Sequence, residues 1–307
     1  MTTAQVVSIH HGGPRLAADL YLPPSASGPV PAVVTGSGFG GVKEMLLPHF
    51  AAALAASGVA TLAVDYAGFG ASEGEPRQDV NPKAQIRDLR RGLDFLASDT
   101  RIDAARLGAF GPSMCGAHVL VLAGSDPRVR AAVSLVPFVR APRTPPNPKL
   151  GRAILADVLR SLVGLSSEVV AAAGLPGERA VMTDDGALAW ISAVSAHAPS
   201  FRNAVTVRSL VRLSRYRPMR MLGGQGIRVP LRTILSRDDH ITPASLARAE
   251  LRAVEHDCIE LSGTHFELFG EHLAEATRLT VEWLAHHLGA RRSAVESPQH
   301  LRDFGAR

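Results

Sequence analysis

Short apolar runs alternate with longer stretches of mixed polarity along most of this 307-residue chain. The apolar runs predict about eight strands, near residues 6–10, 17–21, 32–35, 60–64, 107–110, 131–135, 231–235 and 258–261. The longer stretches predict helices near residues 47–56, 82–97, 114–123, 244–250 and 271–288. This alternation is typical of an α/β protein with a mostly parallel, doubly wound sheet. We expect the first two strands to form an antiparallel edge.

The alternation stops between residues 140 and 228. This stretch opens with four prolines within residues 141–148, which exclude a helix there, and continues with several helical periods. We therefore predict an inserted helical segment, called the cap segment below (residues 140–228). The predicted core then comprises residues 1–139 and 229–290, and residues 291–307 form a polar C-terminal tail.

The motif Gly111-Pro112-Ser113-Met114-Cys115-Gly116 lies between a predicted strand and a predicted helix. A serine on such a sharp turn exposes its hydroxyl above the sheet, and the N–H of the next residue, Met114, faces a developing oxyanion. Strand and helix nearly touch there, so small residues are needed two positions either side of the serine. Gly111 meets that need and Cys115 meets it only partly. On this motif alone, an ordinary turn with a solvent-exposed serine remains an alternative.

Two later loops carry side chains that can act together with Ser113. The loop after the seventh predicted strand contains Asp238 and Asp239, and the loop after the eighth contains His265. Serine, then an acid after a strand, then a histidine after the last strand is the chain order of the α/β-hydrolase triad.

The chain therefore resembles the α/β-hydrolase superfamily, and within it the dienelactone-hydrolase-like and X-Pro-dipeptidase-like prokaryotic serine hydrolases. Residues 31–41 are similar to the strand and oxyanion loop that usually reads HGxxG, with Ser37 at the position of the histidine. Residues 64–74 are similar to the DYRGFGxSxG loop of these relatives. The resemblance covers roughly residues 5–140 and 225–290.

This resemblance implies a nucleophilic serine, Ser113, with His265 as general base and then general acid. Relatives commonly carry the triad acid four residues before a proline, which selects Asp239 and leaves Asp238 as a turn residue. The backbone N–H groups of Phe39 and Met114 are the implied oxyanion donors. The implied fold is the α/β-hydrolase fold, with the cap segment above the nucleophile.

Three other residues compete for these roles. His240 adjoins the acids in sequence and cannot easily also bridge them to Ser113. We expect His118, in the helix after the elbow, to be packed or solvated, and Cys115 to be a small buried hydrophobe rather than the nucleophile.

The implied activity is hydrolysis of an ester, thioester or lactone through a Ser113 acyl-enzyme. One alternative is a natural-product biosynthetic lyase or acyltransferase on the same fold, acting for example by acetate elimination from an acetylated tetronate or by C–C bond cleavage. A second alternative is a non-catalytic binding protein that kept the fold.

The cap segment is basic, with twelve arginines and one lysine against five acids. One hypothesis is that Arg208, Arg212 and Arg215, spaced along one helical face, bind an anionic or carrier-bound acyl substrate. The other is a solvated surface in an arginine-rich protein. Nucleic-acid binding is not expected. Such binding usually combines a basic stripe with stacking aromatic residues, but aromatic residues make up only 5% of the chain, and no recognised nucleic-acid module appears.

The sequence shows no spacing typical of a metal site, and we expect no metal and no cofactor. Two cysteines, Cys115 and Cys258, fall in apparent core positions, which favours reduced thiols and a cytoplasmic location. No run of eighteen apolar residues and no leader pattern appear, so we expect no membrane association. The substrate is expected to be a small molecule. A homodimer is compatible with the sequence, which does not determine the oligomeric state.

Overall fold

The computed structural model describes residues 3–141, 148–184, 186–224 and 226–290. Within these residues the strands are β1 (Gln5–Ile9), β2 (Leu16–Tyr21), β3 (Val30–Gly36), β4 (Ala60–Val64), β5 (Ile102–Pro112), β6 (Val129–Leu135), β7 (Val169–Ala173), β8 (Ala180–Met182), β9 (Val205–Thr206), β10 (Leu231–Ser236) and β11 (Asp257–Leu261). The helices are α1 (Leu47–Ala56), α2 (Pro82–Ser98), α3 (Met114–Ser125), α4 (Pro148–Leu162), α5 (Ala187–Ser195), α6 (Val207–Arg215), α7 (Ala244–Leu251) and α8 (Leu273–His287).

The central sheet has eight strands in the order β1-β2-β4-β3-β5-β6-β10-β11. From β4 to β11 the neighbouring strands run parallel, whereas β1 pairs antiparallel with β2 and β2 antiparallel with β4. The predicted α/β fold with an antiparallel edge is confirmed, and all eight predicted core strands are present. The five predicted core helices are also present, with ends that agree to within two residues.

Helices cover both faces of this sheet, so its central strands are buried on both sides. On β4, for example, all five residues are buried, which is why the strand reads as a continuous apolar run rather than an alternating one. Helices α1 and α8 pack together on the sheet, and so do α2 and α3. The N-terminus of α2 is fixed by Pro82 in its first turn and by the side chain of Asn81, which accepts from the N–H of Ala84 at 3.3 Å.

The cap segment follows β6 and mixes helices with strands. It contains α4, α5 and α6 together with a small sheet in the order β8-β7-β9. The prediction of a helical segment was therefore incomplete, because these strands are only two to five residues long and carry no alternating pattern. The predicted irregular stretch at residues 142–147 and the predicted tail at residues 291–307 lie outside the described residues.

Several hydrogen bonds fix the cap segment to the core. A guanidinium N–H of Arg212 donates to Asp79 at 2.6 Å, and the hydroxyl of Ser200 donates to Glu44 at 2.8 Å. The backbone N–H of Thr206 donates to a core carbonyl at 2.9 Å. These contacts place the cap segment over the loops that follow β3 and β4.

One prediction about the cysteines is wrong. Cys115 is buried as expected, but Cys258 is exposed. Cys258 lies on β11, the edge strand of the sheet, where one face of the strand meets solvent.

Candidate active site

Ser113 occupies a strained turn between β5 and α3. Its backbone angles are φ 53° and ψ −116°, a conformation that costs on the order of 1–3 kcal/mol for a residue with a side chain. Two hydrogen bonds hold it there. The N–H of Ser113 donates to the carbonyl of Leu135 at 2.7 Å, and its own carbonyl accepts from the N–H of Phe138 at 3.2 Å. The end of β6 therefore fixes this serine.

Strand β5 and helix α3 approach each other closely on either side of Ser113. A Cβ added to Gly111 would lie 2.6 Å from the Sγ and the backbone of Cys115. A Cβ added to Gly116 would lie 3.0 Å from the carbonyl oxygens of Gly111 and Leu135. The close approach thus depends on Gly116 as well as Gly111, and this role of Gly116 was not predicted from the motif.

The thiol of Cys115 is fully buried and is not among the groups that line the cavity described below. Burial raises the pKa of this thiol to about 11, so it stays protonated at neutral pH. Cys115 therefore packs as a small hydrophobic residue in the crossing of strand and helix, as expected.

Asp239 and His265 are both buried and lie in contact. The Nδ1 atom of His265 is 2.6 Å from Oδ2 of Asp239. The other oxygen of Asp239 accepts the N–H groups of Ile241 at 2.8 Å and Thr242 at 2.7 Å. The neighbouring Asp238 is exposed, so only one of the two acids in the turn after β10 is buried.

The pKa of Asp239 is held below its usual value. Burial acts to raise it, but the hydrogen bond and charge of His265 and the hydrogen bonds from Thr242 outweigh that effect. The Thr242 hydroxyl lies 2.7 Å from Oδ2 of Asp239 and 3.2 Å from Nδ1 of His265. A role for Thr242 was not predicted from the sequence, although this threonine lies only three residues after the acid.

Gly38 and Phe39 lie in the turn after β3, beside Ser113. A Cβ added to Gly38 would be 3.3 Å from Cβ of Ser113. The turn closes with the N–H of Gly41 donating to the carbonyl of Gly38 at 3.3 Å. On the other side of Ser113, Met114 is the first residue of α3, where a helical N–H has no acceptor within the helix. The predicted donors Phe39 and Met114 therefore flank the serine.

A cavity of ≈ 50 Å³ opens onto Ser113 and His265. Its wall is almost wholly apolar and comes from both parts of the chain. The core contributes Ser37, Gly38, Phe39, Gly41, Met45, Leu46, Pro112, Phe266 and Phe269, and the cap segment contributes Met182, Trp190, Ile191 and Phe201. Apart from the serine and the histidine, the hydroxyl of Ser37 and the indole N–H of Trp190 are the side-chain polar groups among these lining residues.

The structure does not bring the three candidate arginines of α6 to this cavity. Arg208 lies 3.6 Å from the buried carboxylate of Asp157, and Arg212 is paired with Asp79. Arg215 is exposed. Acids on distant elements neutralise the first two side chains, and the cavity wall contains no arginine.

Of the competing histidines, His240 is exposed and His118 is fully buried. The ring nitrogens of His118 lie 3.0 Å from Oε1 of Gln85 and 2.9 Å from the hydroxyl of Tyr216. Burial lowers the pKa of His118 to about 3, so the ring is neutral at neutral pH. This histidine links α2, α3 and the end of α6 beneath the elbow and does not line the cavity.

Across the described ranges, no three histidine, cysteine, aspartate or glutamate side chains are grouped so as to hold a metal ion. No described helix is long and apolar enough to cross a membrane.

The four loops that carry the candidate site follow β3, β5, β10 and β11, at the carboxyl ends of parallel strands. Residues 29–263 match the family model described as serine aminopeptidase, S33. The chain belongs to this family of α/β-hydrolases. A quorum-quenching protein, AidA of Acinetobacter baumannii, is 30% identical over 278 residues, which cover 88% of this chain and 90% of that protein.

Two fungal proteins match a smaller part of this S33-family chain. Thiohydrolase aneE of Aspergillus aculeatus is 36% identical over 140 residues, which cover 46% of this chain and 43% of aneE. Polyketide transferase af380 of Aspergillus fumigatus is 40% identical over 108 residues, which cover 35% of this chain and 37% of af380. Family and relatives together show an enzyme of the α/β-hydrolase kind.

Solved structures show the same fold. A complex of DcsB with a substrate analogue has a TM-score of 0.79 at 23% identity and covers 94% of this chain and 100% of that one. The α/β-hydrolase GrgF of a Penicillium species has a TM-score of 0.75 at 20% identity and covers 94% of this chain and 99% of that one.

Proposed function

We propose that this enzyme hydrolyses an ester or thioester of an uncharged, apolar acyl group through a covalent Ser113 acyl-enzyme. One observation carries the proposal. Ser113, held in the strained elbow, opens onto the same cavity as His265, and Nδ1 of that histidine is 2.6 Å from a buried carboxylate of Asp239. Nucleophile, base and orienting acid are the parts that acyl transfer requires.

The proposed reaction has two halves that use the same groups. Asp239 keeps the proton of His265 on Nδ1, so Nε2 accepts the hydroxyl proton of Ser113 as its oxygen attacks the acyl carbon. The N–H groups of Phe39 and Met114 stabilise the oxyanion. His265 then gives the proton to the leaving alcohol or thiol. Water, activated by the same nitrogen, hydrolyses the acyl-enzyme and regenerates Ser113.

The cavity wall supports an apolar acyl group. No arginine or lysine lines the cavity to pair with a carboxylate or phosphate within the acyl site. In this proposal the cap segment completes the pocket through Met182, Trp190, Ile191 and Phe201 and restricts the access of water. The name thiohydrolase, carried by aneE, fits a thioester substrate. A lactone, which is a cyclic ester, would react in the same way as an ester.

A second candidate function is transfer of the acyl group to an acceptor other than water, or another natural-product step on the same fold such as elimination. The name polyketide transferase, carried by af380, favours it, together with an apolar wall that disfavours water at the acyl-enzyme. Hydrolysis and acyl transfer share the Ser113 acyl-enzyme and differ in what resolves it, whereas an elimination would not form it.

Turnover of model substrates tests the proposal. Wild type and Ser113→Ala are assayed with p-nitrophenyl butanoate and with an N-acetylcysteamine thioester of butanoate, and the released alcohol or thiol is followed by absorbance. We expect turnover by wild type and a loss of at least about 10⁴-fold in Ser113→Ala. Butanoate as the sole acyl product indicates hydrolysis. A butanoylated product from added alcohols or amines indicates transfer. Equal rates for the two proteins would overturn the proposal.

A further inference from the structure

An aromatic cluster joins the cap segment to the loop that carries His265. The indole of Trp190, on α5, lies 5.3 Å from the ring of Phe266 and 5.7 Å from that of Phe269, measured between ring centroids. Its Nε1–H also donates to the carbonyl of Phe269 at 3.4 Å. One cap side chain therefore holds both phenylalanines, more than seventy residues away in sequence.

The same two phenylalanines contact the imidazole of His265. The ring of Phe266 is 5.3 Å away at an interplanar angle of 81°, and that of Phe269 is 5.4 Å away at 85°. Contacts with Asp239 and with the Thr242 hydroxyl fix Nδ1, but both meet the same ring atom and leave the rest of the imidazole able to tilt about it. Two rings packed nearly perpendicular to the imidazole restrict that tilt, because a tilted imidazole would collide with them.

Trp190 lies at the wall of the cavity and not in the interior of the protein. It is only partly buried and lines the cavity of Ser113, together with both phenylalanines. The cap segment thus contacts the loop of His265 at the cavity wall, where its position can affect the histidine through the two phenylalanines.

We propose that Trp190 is a positioning residue for His265. When the cap segment is seated, the indole holds Phe266 and Phe269 against the imidazole, and Nε2 is kept aimed at the cavity and Ser113. This inference rests on the proposed function. It assigns to the cap segment a part in the chemistry, through the orientation of the general base, in addition to forming the acyl pocket.

The test compares Trp190→Leu and Trp190→Phe with Trp283→Phe. Trp283 lies on α8 outside the cavity, under the guanidinium of Arg232 at 4.6 Å, and serves as the control for loss of an indole. His265 acts in both acylation and deacylation, so a misaligned imidazole slows both steps. We expect Trp190→Leu to lower both rate constants by about 10- to 100-fold, with KM changed by less than about threefold. Trp190→Phe should recover most of the loss, and Trp283→Phe should match wild type.

Rapid-mixing measurements with p-nitrophenyl butanoate separate the two steps, and thermal denaturation checks that each variant is folded. Should Trp190→Leu not fold, Trp190→Met takes its place, because methionine retains much of the volume without a ring. A raised KM with an unchanged kcat would overturn the inference and leave Trp190 as part of the pocket wall. Rates equal to wild type would overturn it as well. If wild type itself shows no turnover that depends on Ser113, the proposed function fails and the inference fails with it.

Discussion

The carboxylate of Asp239 lies 2.6 Å from Nδ1 of His265, and both side chains are buried. Two backbone N–H groups and the hydroxyl of Thr242 occupy the remaining positions around the carboxylate. Such a carboxylate stays ionised and accepts a hydrogen bond from Nδ1–H, which leaves Nε2 as the basic nitrogen on the cavity side. The proposed mechanism depends on this relationship, and the adjacent acid offers a matched test of it.

Asp239→Asn should lower kcat by about 10³- to 10⁴-fold, because an amide can donate to Nδ1 and thereby favours the wrong tautomer of His265. Asp238→Asn removes the same charge from the exposed neighbour and should change kcat less than about twofold. Steady-state kinetics with p-nitrophenyl butanoate measure both effects. A similar loss in the two variants, or a loss confined to Asp238→Asn, would refute the assignment of the acid.

The crossing of β5 and α3 predicts opposite outcomes for two small residues. Cys115→Ala should keep activity within about threefold of wild type, because the thiol is buried and protonated. Gly111→Ala should abolish activity or folding, because the added Cβ would lie 2.6 Å from the backbone of Cys115. Circular dichroism and ester turnover report the two effects. Loss of turnover in a well-folded Cys115→Ala variant would reopen a catalytic role for the thiol.

The size of the cavity predicts a preference for short acyl chains. Its ≈ 50 Å³ is about a third of the roughly 150 Å³ at which an apolar cavity accepts benzene. In a series of p-nitrophenyl esters from acetate to decanoate, kcat/KM should be highest at two to four carbons and at least about tenfold lower at eight. Ile191→Ala removes part of the wall and should move the optimum to longer chains. An optimum at eight or more carbons in wild type would contradict a pocket of this size.

His118 predicts a pH dependence of stability. Its pKa is about 3 in the folded protein and 6.5 in the unfolded chain, so the unfolded state takes up a proton first as the pH falls. The associated stability is fully present above pH 6.5 and is lost progressively between pH 6.5 and about 3. From about pH 7.5 to about pH 5, wild type should lose about 2 kcal/mol more of its unfolding free energy than His118→Gln. Urea denaturation at the two pH values measures this difference. Equal losses of unfolding free energy in wild type and His118→Gln would contradict a lowered pKa of His118 in the folded protein.

Much of the fold could be predicted because the sheet is parallel and covered on both faces. Strands such as β4 are then continuous apolar runs of five residues, separated from the next run by a helix. The location of the loops that carry Ser113, Asp239 and His265 follows from the order of these strands along the chain. The choice between Asp238 and Asp239 came from the resemblance, through the spacing to Pro243, and not from any physical signal in the loop.

Features that depend on contacts between distant elements left no sequence signal. The ion pair of Arg212 with Asp79 joins residues 133 positions apart, so a cationic helix face appeared available for a substrate. The contact of Trp190 with Phe269 likewise depends on how the cap segment sits on the core. The strands β7 to β9 are too short and too alanine-rich or valine-rich to be distinguished from helix by periodicity.

Covalent labelling of the elbow serine is the most direct test of the account. Wild type and Ser113→Ala are incubated with a fluorophosphonate probe, and their intact masses are measured. A single phosphonyl adduct on wild type, located to the peptide that contains Ser113 and missing from Ser113→Ala, is the predicted result. An unmodified wild-type protein in a folded sample, or an adduct of equal yield on both proteins, would contradict the claim that Ser113 is an activated nucleophile.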